Sequence, residues 1–203
     1  MTPALVLATR NDHKVGELRA ILAPLLPDVD PEAIVSAAAF DLPEPVEDEV
    51  TFAGNALIKA RQLAQATGLP AVADDSGICV DALGGAPGTF SARWCGHHGD
   101  DAANLDLLLA QLADVPDRHR RAHFACAAVL VMPDGREWVR EGRMDGMLVR
   151  ERRGVGGFGY DPIFLADGQE LTNGELGTEV KNQISHRAEA FRALAPIIAE
   201  QLG

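Results

Sequence analysis

Short apolar runs alternate along this chain with stretches whose apolar residues recur at helical spacing. That alternation limits the fold more than any other feature of the sequence. Ala4 to Ala8 form the first run. The polar stretch Thr9-Arg10-Asn11-Asp12-His13-Lys14 follows, and then Val15, Leu18, Ile21, Leu22 and Leu25 repeat with the period of a helix. A short apolar patch from Ala33 to Phe40 reads as a second strand, followed by an acidic segment, DLPEPVEDE, expected to be a solvated loop. Thr51 is placed to cap a helix with Phe52, Ala56, Leu63 and Ala64 on its apolar side, and Gly68 is its stop. Leu69 to Ala73 read as a buried strand running into Asp74-Asp75-Ser76-Gly77, with Ile78 to Leu83 extended beyond it.

The second half continues the pattern. Asp100 to Leu112 carry a helical stripe of Leu105, Leu108, Leu109 and Leu112. His123 to Met132 and Glu137 to Gly142 form a hairpin turned at Pro133-Asp134-Gly135-Arg136, with a further short strand from Met144 to Val149. Pro162 to Leu165 read as another strand, and Ser185 caps a last helix with Phe191, Leu194, Ala195 and Ile198 on one side. No repeat, low-complexity tract or linker interrupts this order, so residues 1–203 are expected to form one α/β domain with a mixed sheet.

Composition narrows the function. With 47% apolar and 24% charged residues the chain can bury a core and is not disordered. Thirty acidic against eighteen basic side chains, a net charge of -12, repel polyphosphate polymers and argue against a DNA- or RNA-binding module, while a small anion carried with a divalent metal remains compatible. Cys79, Cys95 and Cys126 are odd in number and lack CxxC spacing, which points away from a disulfide framework or zinc cluster and toward a reducing cytoplasm. No apolar run approaches the ~20 residues of a membrane span, and the N-terminus reads as a strand instead of a signal peptide.

Four constellations could carry chemistry. Thr9 to Lys14 lie between a strand and a helix start, where free N–H groups and the helix dipole favour phosphate, unless the stretch is simply a capping loop. Asp74 and Asp75 end an apolar strand and point to opposite sides of an extended chain, so one carboxylate, beside Glu44, Glu47 or Asp48, could hold Mg²⁺ and activate a water; the competing reading is an Asp-Ser-Gly turn. Gly154 to Gly159 have the G-x-G-x-x-G spacing, but arginines precede it and Tyr160-Asp161-Pro162 follow, so a Rossmann loop is rejected in favour of a loop presenting Phe158 and Tyr160 to a base, or burying them. Lys181, His186 and Arg187 cluster at the start of the last helix, where cations are disfavoured, so an anionic or carbonyl-rich neighbour is expected.

Taken in order, LATRNDHKVGEL, TFAGNALIKA, GLPAVADDSGICVDALGGAPGTFSARW, GFGYDPIF and KNQISHRAEA resemble the inosine triphosphate pyrophosphatase family, which acts on the non-standard purine nucleotides ITP, dITP and XTP. The resemblance covers nearly the whole chain. It implies an elongated two-lobed α/β fold with a central mixed sheet flanked by helices and a cleft between the lobes, usually as a homodimer. It also implies Mg²⁺-dependent hydrolysis of a nucleoside triphosphate to the monophosphate and pyrophosphate. By resemblance Thr9, Arg10, Asn11, Asp12, His13 and Lys14 form the phosphate-binding loop, and Asn55 and Lys59 lie on the helix facing the phosphates. Asp75 is the general base and a metal ligand, Ser76 contacts substrate, and Glu47 or Glu44 is the second metal-side carboxylate. Phe158, Gly159, Tyr160 and Asp161 form the base-binding loop, and Lys181, His186 and Arg187 supply the remaining nucleotide contacts. Many relatives have Gly where this chain has Arg10, so a side-chain contact to phosphate is expected there. The runners-up are a pyrophosphatase with another base preference and a nucleotide-binding protein that has lost catalysis.

Overall fold

A computed structural model describes residues 3–10 and 12–203; Asn11 and the side chains of residues 12–14 lie outside the described residues. The order is β1 (Leu5–Leu7), α1 (Asp12–Leu22), β2 (Ile34–Ser36), α2 (Phe52–Thr67), β3 (Ala71–Val80), α3 (Asp101–Gln111), β4 (Arg121–Val131), β5 (Glu137–Leu148), β6 (Phe164–Ala166), α4 (Thr178–Ile184) and α5 (His186–Leu202). The six strands form one sheet in the order β2-β1-β3-β4-β5-β6. β1 runs parallel to β2 and to β3, while β5 and β6 are antiparallel, so the sheet is mixed.

The chain divides into two compact units. The first comprises Met1–Asp75, Cys126–Gly142 and Arg187–Gly203, the second Ser76–Ala125 and Arg143–His186. In the first unit the period-2 alternation of the strands sorts side chains onto two faces. Leu5, Leu7, Val72, Cys126, Ala128 and Leu130 pack with Leu18, Leu22, Phe191, Leu194 and Ile198 of α1 and α5. Val6, Ala71, Ala73, Val129 and Val131 pack on the opposite side with Ala56, Ala60, Leu63 and Ala64 of α2. The small residues of α2 and β3 let that helix lie close to the strand, with Thr51 capping it through a bond from Gly54 N–H (3.0 Å) and Gly68 ending it in the left-handed conformation.

The second unit has its own core. Ile78, Val80, Ala122, Phe124, Met144, Leu148 and Phe164 from the strands pack with Leu105, Leu108 and Leu112 of the α3 segment and with Tyr160 and Ile163. Arg120 is fully buried and donates to the carbonyls of Leu112, Leu148 and Val149 at 2.7–3.0 Å, closing the end of α3.

One alternative closes in favour of the extended chain, and two other readings change. Asp74-Asp75-Ser76-Gly77 is not a turn: β3 runs through it without a break. The strands expected at Glu137–Gly142 and Met144–Val149 are one continuous β5. Residues 178–184, which carry Lys181, form a short helix with no anticipated counterpart. Gly77 shows why β3 stays extended where turn residues dominate. A Cβ there would come within 2.4 Å of the Gly88 carbonyl oxygen and of Ser91 Oγ, and that hydroxyl accepts the Ile78 N–H at 2.9 Å. The position needs glycine for close approach, not for a bend. Gly77→Ala is therefore expected to cost about 1–3 kcal/mol by overpacking, read as a lower urea midpoint at unchanged slope.

Candidate active site

The alternation of β3 carries past the apolar residues into the two adjacent carboxylates. Asp74 follows Val72 onto the face covered by α1 and α5, and Asp75 follows Ala71 and Ala73 onto the face covered by α2. Each meets a cation there. Arg187, at the start of α5, donates from Nε to Asp74 Oδ2 at 3.0 Å and from Nη1 to Glu17 Oε2 of α1 at 2.8 Å. This is the anionic surrounding that a cation in a first helical turn requires. Burial works against the Arg187 charge, but the Asp74 and Glu17 carboxylates, with Cys126, more than offset it and hold the guanidinium charged.

Asp75 sits among groups that a reaction can use. Asn55, fully buried on α2, donates from Nδ2 to Asp75 Oδ2 at 3.2 Å and accepts the Glu49 N–H at 3.1 Å. Lys59, one helical turn on, places Nζ 3.5 Å from Asp75 Oδ1 and 3.5 Å from Glu47 Oε1. The acidic segment is a largely exposed loop, as expected, and it is tethered to α2. Gln62 holds the Pro43 carbonyl at 3.0 Å, Asn55 holds Glu49, and Arg10 donates to the Leu42 carbonyl. Gly54 permits this approach, since a Cβ there would lie 2.7 Å from Glu49 Cβ. Glu47 is thus the carboxylate beside Lys59, and Glu44 lies exposed in the same segment.

Burial pushes the Asp75 carboxyl above its ordinary value; Lys59 pulls it down, Glu47 pushes it up, the Asn55 amide lowers it and Asp74 raises it, with the balance upward. A carboxyl so placed is a better proton acceptor than a free one. Two hard oxygen donors facing one cation also fit Mg²⁺, which takes one or two carboxylates and completes its shell with water and substrate phosphates. They do not make an all-protein cage: among the described residues no group of three or more His, Cys, Asp or Glu side chains could hold an ion.

The second unit holds a separate cluster. Asp161, almost fully buried, accepts from Lys181 Nζ (2.5 Å), Asn173 Nδ2 (3.1 Å) and the Phe158 N–H (2.8 Å). The Lys181 ammonium also lies 4.5 Å from the centroid of the Phe158 ring, which is about half exposed. His186 is buried and stacked on Phe124, with ring centroids 4.9 Å apart and planes 11° apart. Tyr160 is buried and donates its hydroxyl proton to the Ser91 carbonyl at 2.9 Å. Of the two readings for the aromatics, Tyr160 is core and Phe158 is presented.

Asp75, Asn55, Lys59 and Glu47 therefore gather in the first unit, and Phe158, Asp161 and Lys181 in the second. Ser76 follows Asp75 on β3, Thr9 carries a backbone carbonyl that accepts from Ser36 Oγ at 2.7 Å, and Gly159 lies in the Phe158 loop. Asn11 and the side chains of Asp12, His13 and Lys14 lie outside the described residues. Sequence reasoning missed Glu17 and Asn173. Glu17 sits on the helix after the polar stretch, far from Arg187 in sequence, and nothing local marks it as a partner.

The Ham1 family pattern matches residues 5–197. The chain is 61% identical over 201 residues, 98% of each chain, to the dITP/XTP pyrophosphatase of Streptomyces coelicolor. It is 55% identical over 194 residues to that of Leifsonia xyli, covering 96% of this chain and 94% of the relative. The structure of a HAM1 protein from Coxiella burnetii matches with a TM-score of 0.86 at 38% identity, covering 98% of this chain and 100% of that one. The nucleoside-triphosphatase / dITP/XTP pyrophosphatase from Mycobacterium abscessus matches with a TM-score of 0.78 at 48% identity, covering 95% and 99%.

The raised Asp75 value has a consequence for stability. A carboxyl whose folded value lies above its unfolded value of about 3.8 stabilises the fold fully only below that pH, and the contribution is lost as pH rises through the folded value. In metal-free buffer Asp75→Asn is expected to melt at or above the parent temperature at pH 7. The gap should close as the pH falls toward 4, a course followed by calorimetry.

Proposed function

The chain belongs to the Ham1 family, and from that premise we propose that it hydrolyses the non-standard purine nucleotides dITP, XTP and ITP to the nucleoside monophosphate and pyrophosphate, clearing them from the nucleotide pool. The observation that carries the chemistry is the placement of Asp75 on the α2 face of β3, with Asn55 and Lys59 on its two oxygens. Asp75 accepts a proton from the attacking water as its oxygen bonds to the α-phosphorus. The bond from that phosphorus to the bridging oxygen breaks, and pyrophosphate leaves with the electron pair. Asn55 fixes the plane of the carboxylate, so that its remaining lone pairs face the water. A triphosphate brings close to four negative charges, and Lys59 supplies fixed positive charge where more accumulates on the leaving group. Mg²⁺, held by Asp75 and Glu47, would neutralise phosphate charge and orient the anhydride when bound.

Phosphate binding falls to the segment of Thr9, Arg10, Asn11, Asp12, His13 and Lys14, and Ser76, next to Asp75 in the chain, adds a contact. Base selection falls to the second-unit cluster. His186 is buried against Phe124, and Arg187, expected to share this role, is instead held in the first unit by Asp74 and Glu17. A donor such as Lys181 directed at a 6-oxo group is satisfied by hypoxanthine or xanthine. The 6-amino group of adenine would leave it unpaired, a mismatch worth orders of magnitude in rate. Phe158 offers a ring face to the purine, and Gly159, Tyr160 and Asp161 shape the loop that carries it. A homodimer in the cytoplasm completes the proposal. No helix among the described residues is long and apolar enough to cross a membrane.

Asp75→Asn is expected to lower pyrophosphate release from dITP by about two to four orders of magnitude while the melting profile stays that of a folded protein. Near-parental release would remove this carboxylate from the chemistry. A panel of triphosphates assayed for pyrophosphate with Mg²⁺, and again with EDTA, is expected to rank dITP, XTP and ITP above ATP and to show no turnover without the ion. Preference for ATP or a pyrimidine would overturn the substrate assignment.

A further inference from the structure

The loop that presents Phe158 is built on left-handed glycines, Gly157 with φ of 73° and Gly159 with φ of 57°. At Gly157 a Cβ would stand 2.2 Å from Asp161 Oδ2, so the backbone turns tightly against that carboxylate. Successive residues are then tied down one by one. The Phe158 N–H donates to Asp161 at 2.8 Å, the Gly159 N–H to Asp101 Oδ2 at 3.0 Å, and the Tyr160 hydroxyl to the Ser91 carbonyl at 2.9 Å.

Asp161 belongs to the neighbourhood of the loop, whereas Asp101 reaches it from 58 residues earlier in the chain. Asp101 is the first residue of α3, but the helix does not use it as a cap. Asp100 does that work, accepting the Ala103 N–H at 2.9 Å. The Asp101 carboxylate is therefore directed at the loop, and it does so from a firm base. Leu105 and Leu108 bury α3 in the core of the second unit, and Arg152 ties the chain ahead of the loop to Asp106 Oδ1 at 2.6 Å and the Ala102 carbonyl at 3.0 Å.

We propose that Asp101 is a positioning residue for base selection: it fixes the peptide between Phe158 and Gly159 and so sets the direction of the Phe158 ring beneath the Lys181 ammonium. Phe158 is 48% exposed, and the backbone that bears it sets where its ring starts. A charged acceptor on a backbone N–H is a stronger tether than a neutral one. The inference rests on the reading that Phe158 and Lys181 meet the base, and its test separates the two.

Hydrogen exchange of the Gly159 amide is measured in the parent, Asp101→Ala and Asp101→Asn, together with kcat and KM for dITP and dATP. In Asp101→Ala the amide is expected to exchange faster, KM for dITP to rise roughly threefold to tenfold with little change in kcat, and the preference for dITP over dATP to fall in step. Asp101→Asn keeps an oxygen that accepts the Gly159 N–H and should recover most of both effects. Parental exchange and KM in Asp101→Ala would overturn the proposal. So would an Asp101→Asn protein as impaired as Asp101→Ala, which would assign the loss to charge at the helix start. Faster exchange with unaltered preference would overturn the role in base selection. A parent protein that releases no pyrophosphate from dITP would instead sink the functional reading, while the exchange result still decides whether Asp101 holds the loop.

Discussion

The extended course of β3 through Asp74 and Asp75 is the constraint on which the first unit depends. Had the chain turned at Asp-Ser-Gly, the two carboxylates could have shared one face and repelled each other. In a strand they are sent apart, Asp74 toward α1 and α5 and Asp75 toward α2. The two faces then treat the same functional group in opposite ways. Asp74 is buried against Arg187, which also binds Glu17, and so joins three elements. A buried charge set of this kind is weak evidence for added stability, because desolvation offsets much of the attraction, but removing one member is costly. Asp75 is left with a weaker 3.5 Å contact to Lys59, an amide on one oxygen, and a raised affinity for protons. One carboxylate is committed to structure and its neighbour is kept available.

The second unit uses the same device differently. Asp161 collects an ammonium, an amide and a backbone N–H, and through them places Lys181 beside the Phe158 ring. A chain with a net charge of -12 pairs these buried or half-buried carboxylates with cations: Asp74, Asp75 and Asp161 each face a lysine or arginine. The fixed cations are what a polyanionic substrate would otherwise lack on so acidic a protein.

Much of this was legible in the sequence where the signal was local. Helical spacing placed α1, α2, α3 and α5, Thr51 and Gly68 marked the ends of α2, and the four-residue separation of Asn55 and Lys59 put them on one face. The electrostatic cost of Arg187 in a first helical turn called for an anion, and Asp74 and Glu17 supply it. What was not legible depended on contacts distant in sequence. Local preference favoured a turn at Asp-Ser-Gly, and pairing of β3 with β1 and β4, with Gly77 packed on Gly88 and Ser91, overrode it. The acidic segment is the exposed loop its composition implied, but its tethering to Gln62 and Asn55 of α2 carried no local signal. Asp101 looked like an ordinary acidic residue opening a helix, and only its bond to Gly159 distinguishes it.

The placement of Asp75 opposite Lys59 is tested most directly by the acidic limb of the kcat/KM profile for dITP. Lys59 holds the Asp75 carboxyl below the value that burial alone would give it. In Lys59→Met the limb is expected to move to higher pH, whatever the substitution does to the maximal rate. An acidic limb that stays where the parent has it would contradict Asp75 as the proton acceptor in the reaction.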